Sequence, residues 1–155
     1  MQTILTKELL LTPEDTAKNY EFHFELPVAG AEAKALWLGL RYTPKTLEDK
    51  DKANRLLQKG FAVYNVPDDG DARNPAQYLP LTNLVTLCLL SPNGYVGAAH
   101  RPAAEQHHRI APDKASPGFC PCSLDPGNWT LIVNVHCVLT EQCRCNIQVE
   151  VEEEE

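Results

Sequence analysis

Alternation of apolar and polar positions at period two dominates this chain. From Trp129 onward, Trp129, Leu131, Val133, Val135 and Cys137 fall on one face, while Thr130, Ile132, Asn134, His136 and Val138 fall on the other. That pattern predicts a half-buried central strand. Tyr20, Phe22, Phe24 and Leu26 alternate with Glu21, His23 and Glu25, and after a small-residue turn over Pro27–Lys34 the pattern returns with Leu36, Leu38, Leu40 and Tyr42 inward. Two such strands with a short joint predict a hairpin. Thr3 to Thr12 forms a first strand, which Thr12-Pro13-Glu14-Asp15 turns. Leu81 to Leu90, apolar on both faces, predicts a fully buried strand closed by Ser91-Pro92-Asn93-Gly94, with Tyr95–Ala99 as its partner. Gln106–Ile110 has the length of an edge strand. Glu141 and Gln142 turn a last hairpin whose return strand buries Cys145, Ile147, Val149 and Val151.

One segment departs from this period. Ala53, Leu56, Leu57 and Phe61 lie at helical spacing behind Thr46 and Asp49, which resemble a capping box, with Gly60 available as a stop. The spacing predicts one short helix over Leu47–Lys59, and with the proline-rich stretch after it an insertion over about 46–80. Pro117-Gly118 and Pro126-Gly127 are turn dipeptides, because proline presets φ and glycine accepts the positive φ that follows. About eight short strands and one inserted helix predict an all-β fold, a jelly-roll-like antiparallel β-sandwich. The 155 residues make a single domain, 1–155, ending in an acidic tail over 152–155.

Composition narrows the function classes. The net charge is −7, but Glu150 and Glu152 to Glu155 supply five of those charges, leaving −2 for residues 1–149. No Lys/Arg cluster with interleaved aromatics exists, so neither nucleic acid nor a membrane surface is an expected partner. The N-terminal MQTILTKELLL is too short and wrongly charged for a signal-peptide core or a membrane span, so a cytoplasmic location is expected. Six cysteines in that setting read as reduced thiols.

Val85-Thr86-Leu87-Cys88-Leu89-Leu90-Ser91-Pro92-Asn93-Gly94, then Gly97, then Ala115-Ser116-Pro117-Gly118-Phe119, then Leu124-Asp125-Pro126-Gly127-Asn128-Trp129 follow one another in an order that resembles a known family. It is the N-terminal β-sandwich preceding the catalytic domain of bacterial PHP-type (CehA/McbA-like) metallohydrolases, itself similar to bacterial pre-peptidase C-terminal domains. The likeness covers about Tyr20 to Glu152. Thr86 and Ser91 stand where acidic residues are frequent in that pattern, and Cys122 where glycine is frequent. The resemblance implies a sandwich without the metal ligands, which in that family lie downstream, so no catalytic residue is carried over.

The residues themselves offer little chemistry of their own. Two C-x-C pairs, Cys120/Cys122 and Cys143/Cys145, with His136 and Cys137 between them, are the candidate zinc ligands, since zinc takes four N or S donors. C-x-C is not the C-x₂-C spacing of zinc knuckles, however, so free thiols are the reading and no metal or cofactor is expected. His136 and Cys137 are strand neighbours that point to opposite faces, and His100, His107 and His108 lack an E-x-x-H or H-x-H pattern and read as surface residues. Asp68-Asp69-Gly70-Asp71 lacks the EF-hand register and reads as a solvated loop. The expectation is therefore a non-catalytic accessory or interaction module, with a protein partner or a second copy bound through a sheet face or an edge strand. The alternatives are a carbohydrate- or small-ligand-binding sandwich using Trp37, Tyr64 or Tyr78, and a small zinc-binding domain built on the C-x-C pairs.

Overall fold

The computed structural model describes residues 1–26 and 32–154. Its strands are β1 (Gln2–Leu11), β2 (Asn19–Leu26), β3 (Ala33–Thr43), β4 (Leu84–Ser91), β5 (Gly94–Ala99), β6 (Glu105–Ile110), β7 (Gly127–Cys137) and β8 (Cys143–Glu153), with one helix, α1 (Lys50–Val63). The expected turn after Leu26 lies outside the described residues over 27–31. The first strand pairs with the last, β2 with β7, β3 with β6 and β4 with β5, all antiparallel. Rolling that long ribbon up adds the pairs β3:β8 and β4:β7. The result is two four-stranded sheets, β1-β8-β3-β6 and β2-β7-β4-β5, which is the winding of an eight-stranded jelly roll.

Two expected hairpins are replaced by crossings between sheets. β2 and β3 lie in different sheets, as do β7 and β8. Alternation fixes which face of a strand is buried, and a strand facing its neighbour across the core satisfies it as well as one bonded beside it. Only β4 and β5, joined at Ser91–Gly94, form the hairpin expected of them. In β4 the inward residues Val85, Leu87 and Leu89 are fully buried, whereas the outward Cys88 and Leu90 are half-buried.

The core fills the space between the sheets. Trp129, Leu131, Val133 and Val135 meet Leu36, Leu38, Leu40 and Ile147 there, all buried. Phe22 packs at its margin, and Phe24 stacks on Trp129 with ring centroids 6.4 Å apart. The Trp129 indole N–H donates to the Asp125 carbonyl at 3.0 Å, so the large ring is buried without an unpaired donor.

α1 starts later than its pattern suggested. The Asp49 carboxylate accepts from the Lys52 amide at 3.0 Å and is the N-cap, while Thr46 bridges to Thr82 instead. The helix runs through Gly60 because Ala53, Leu57 and Phe61 keep one face buried, and it gives way to Asn65 at φ 50°, the left-handed position that asparagine tolerates. Asn83 ties the base of this insertion to the sandwich. Its amide donates to the Pro44 carbonyl (2.9 Å) and the Thr140 hydroxyl (2.8 Å), and its oxygen accepts from the Leu139 amide (2.7 Å).

The acidic tail is partly strand. β8 continues to Glu153, and Glu152 accepts from the Trp37 indole at 3.1 Å and pairs with Lys34 at 3.3 Å.

Candidate functional site

Of the residues behind the expected resemblance, Asn93, Gly97, Gly118, Phe119 and Asp125 come together at one corner, and the corner is structural. Gly97 bridges Phe119, the Ala98 amide donates to the Gly118 carbonyl at 3.0 Å, and the Cys120 amide donates to the Val96 carbonyl at 2.9 Å. Asn93 donates to Asp125 at 2.7 Å. The segment between β6 and β7 thus latches onto the outer edge of β5, and through the bridge Ile110–Ala115 onto β6 as well. Gly118 (φ 98°) and Gly127 (φ 129°) have the positive φ their proline-glycine turns require. These residues cover a sheet edge; they do not assemble reactive groups.

The opposite side of the sandwich carries the edges of β1 and β2. Lys7 on β1 shares the inward side with Ile147, its register partner, and its ammonium lies 6.0 Å over the Phe22 ring. An inward-pointing lysine and the irregularity between Thr3 and Leu5 discourage strand addition along β1.

The outward face of the β1-β8-β3-β6 sheet holds a polar trough. Register places Thr6, Gln148, Gly39 and His107 in one row across the four strands, and Glu8, Asn146, Arg41 and Glu105 in the next. With no side chain at Gly39, the first row sinks in its middle and encloses about 330 Å³. A second hollow of about 400 Å³ shares Arg41, Glu105 and Asn146 and continues toward Thr43 and Lys45. Trp37 stands one row beyond Gly39 on the same face, half-buried.

A second surface is apolar. Of the seven exposed large apolar side chains among the described residues, four, Val63, Tyr64, Tyr78 and Leu79, sit around the end of α1. Tyr64 is 82% exposed. Behind them a groove of about 320 Å³ is lined by Leu56, Leu57, Phe61, Val66, Leu81 and Leu139. The sheet faces and edges named from the sequence are thus not where most exposed apolar side chains lie.

The four candidate zinc ligands are not brought together. Cys143 and Cys145, two apart on β8, both face the core and are buried, which pushes the Cys145 thiol up to about 12 and raises Cys143 as well. Cys120 is exposed on the latch beside β5, in the other sheet, and Cys122 is half-buried, its thiol raised by burial. All six cysteines are free. Among the described residues no three His, Cys, Asp or Glu side chains are grouped to hold a metal ion, the acidic turn 68–71 included.

The histidines divide between faces. His107 lines the trough, whereas His108, expected at the surface, is buried under the Phe119 ring at 5.2 Å. Gln106 gives both amide hydrogens to the Arg101 and Ala103 carbonyls (3.0 and 2.8 Å), so its oxygen accepts from His108 Nε2 at 2.9 Å and fixes that tautomer. Burial, then the charges of Arg101 and His107, hold His108 below its usual 6.5. His136 contacts the Thr86 hydroxyl at 2.7 Å and the His100 ring at 5.4 Å, and burial lowers its pKa too. His23 stays on the wet face beside Thr130 (3.0 Å).

No protein family and no curated protein matches the chain. No helix among the described residues is long and apolar enough to cross a membrane.

Sequence reasoning missed the trough. Its one local signal was Gly39, an isolated glycine inside the strong strand pattern of Leu36–Tyr42, which marks a bulge or a close approach.

Proposed function

We propose that this chain is a non-catalytic accessory module of the cytoplasm that resembles the N-terminal sandwich of PHP-type metallohydrolases and acts by docking a protein. The observation that carries the reading is the apolar end of α1, where Val63, Tyr64, Tyr78 and Leu79 are held out to solvent around an apolar groove. Side chains of this kind form the buried centres of protein interfaces, where tyrosine in particular is enriched. The groove lies between the insertion that joins β3 to β4 and Leu139 of the β7–β8 connection, outside the strands of both sheets, so it can be occupied without disturbing either sheet. Free thiols throughout agree with a reducing compartment.

The test uses sedimentation velocity at micromolar concentration, alone and with a purified PHP-type catalytic domain. Self-association or a complex is expected, and Tyr64→Asp should weaken either by about tenfold or more, as loss of an interface anchor does. No phosphoesterase turnover is expected with added manganese, zinc or iron. A strict monomer that ignores the catalytic domain, or turnover that tracks one histidine substitution, overturns the reading.

A further inference from the structure

Gly39 stands in the middle of β3, a strand bonded on both sides, where glycine is unfavourable because it loses the most backbone freedom and packs nothing. Two ordinary reasons for a glycine are absent here. It is not among the described glycines with positive φ. Nor does packing demand it: a Cβ there would meet Gln148 Cβ at 3.6 Å, the Gln148 carbonyl oxygen at 3.7 Å and His107 Nδ1 at 3.8 Å, all ordinary contacts. What the missing side chain does is open the floor of the trough.

The trough's chemistry selects an occupant. Over Gly39 itself Arg41 stands beside Glu105, so the lining of that hollow carries no excess charge to draw an anion or a cation, and Lys45 adds a positive charge only at the far end of the second hollow. Asn146, Gln148 and Thr6 each offer both a donor and an acceptor, which is what a hydroxyl group also offers. A peptide would seek free backbone groups, yet the floor lies over β3 and β8, whose groups are paired on both sides. Two hollows joined through Arg41, Glu105 and Asn146 follow β3 from Gly39 to Thr43, about 13 Å at strand rise, longer than a single sugar ring.

We propose that the trough over Gly39 binds a neutral oligosaccharide, lying along β3 with its hydroxyls against Asn146, Gln148 and Arg41. This site is separate from the apolar end of α1 and stands or falls independently of protein docking there.

The experiment titrates the ¹⁵N-labelled full chain with cellohexaose, xylohexaose, mannohexaose, maltohexaose and a β-1,3-glucan hexaose, each to about 10 mM, enough to detect a Kd of about 1 mM. At least one should shift the amides of Gly39, Arg41, His107, Asn146 and Gln148 saturably. Gly39→Val should cut that affinity by about tenfold or more while leaving the melting temperature unchanged or higher, because valine suits a strand better than glycine. Asn146→Ala, a surface change, serves as the second variant and should weaken binding without unfolding the chain. The proposal fails if none of these sugars moves the trough amides, if the shifts gather elsewhere, or if both variants bind like the parent.

Discussion

Replacing Gly97 with alanine tests whether the latch over β5 is a stabilising part of the fold or a loop resting on it. A Cβ at Gly97 would run into the Gly118 carbonyl oxygen and lie 2.6 Å from Phe119 Cα. Both are backbone atoms, so no side chain can swing aside, and either β5 or the latch must shift. Releasing the latch gives up the bonds Ala98 to Gly118 and Cys120 to Val96, about 0.5 to 1.5 kcal/mol each. It also exposes Phe119, now 7% accessible, at about 1.5 to 3 kcal/mol. The loss should reach about 2.5 to 6 kcal/mol if the latch detaches, and about 1 to 3 if the backbone absorbs the overlap in place. Against the 5 to 15 kcal/mol of a typical domain, about 3 is a large fraction. Urea unfolding followed by tryptophan fluorescence measures it, with Trp129 as the buried reporter. Gly60→Ala is the internal control: nothing lies within 4 Å of a Cβ at that helical position, so it should stabilise by about 0.5 to 1 kcal/mol. A Gly97→Ala loss below about 1 kcal/mol, or the same sign for both variants, refutes the assignment.

Two further outcomes follow from the core. Trp129→Ala should cost about 3 to 5 kcal/mol, since the ring is fully buried, stacked on Phe24 and bonded to the Asp125 carbonyl, and a cost near that of a surface change would contradict its position. Because the folded pKa of His108 lies below its ordinary 6.5, the unfolded chain takes up a proton that the folded one resists; stability is full above about 6.5 and is lost as pH falls through the folded value. The urea midpoint should therefore drop between about pH 7 and 5.5, and an NMR titration placing His108 above 6.5 would exclude the burial described.

The faces of the strands were legible in the sequence, and their neighbours were not. Trp129 to Val135 and Leu36 to Tyr42 alternate so regularly that their inward residues follow from period two alone. Pairing depends on hydrogen bonds that every strand can make, so β2 and β3 read as a hairpin although they lie in different sheets. The same limit hid His108. Gln106-His107-His108-Arg109 is polar on both faces, and the inward pair is tolerated because Gln106 satisfies His108 while two carbonyls satisfy Gln106. The helix start shifted for a local reason: Asp49 sits closer to the buried run than Thr46 and its carboxylate alone suffices as a cap.

The trough was illegible for the reason that makes it a surface at all. Thr6, Arg41, Glu105, His107, Asn146 and Gln148 are ordinary polar residues on the outward faces of their strands, and they come from four strands spread over nearly the whole chain. Only the pairing of β1 with β8 sets residue 6 beside 148, and only that of β3 with β6 sets residue 39 beside 107. A sequence pattern reports on one strand at a time, whereas a sheet-face site is a property of register. Gly39 is the exception, because a glycine that neither conformation nor packing requires is anomalous within its own strand. In an antiparallel sandwich of this kind, a central-strand glycine whose Cβ would fit is a place to look for a ligand, since the strand accepts a weaker residue there without any gain to the fold.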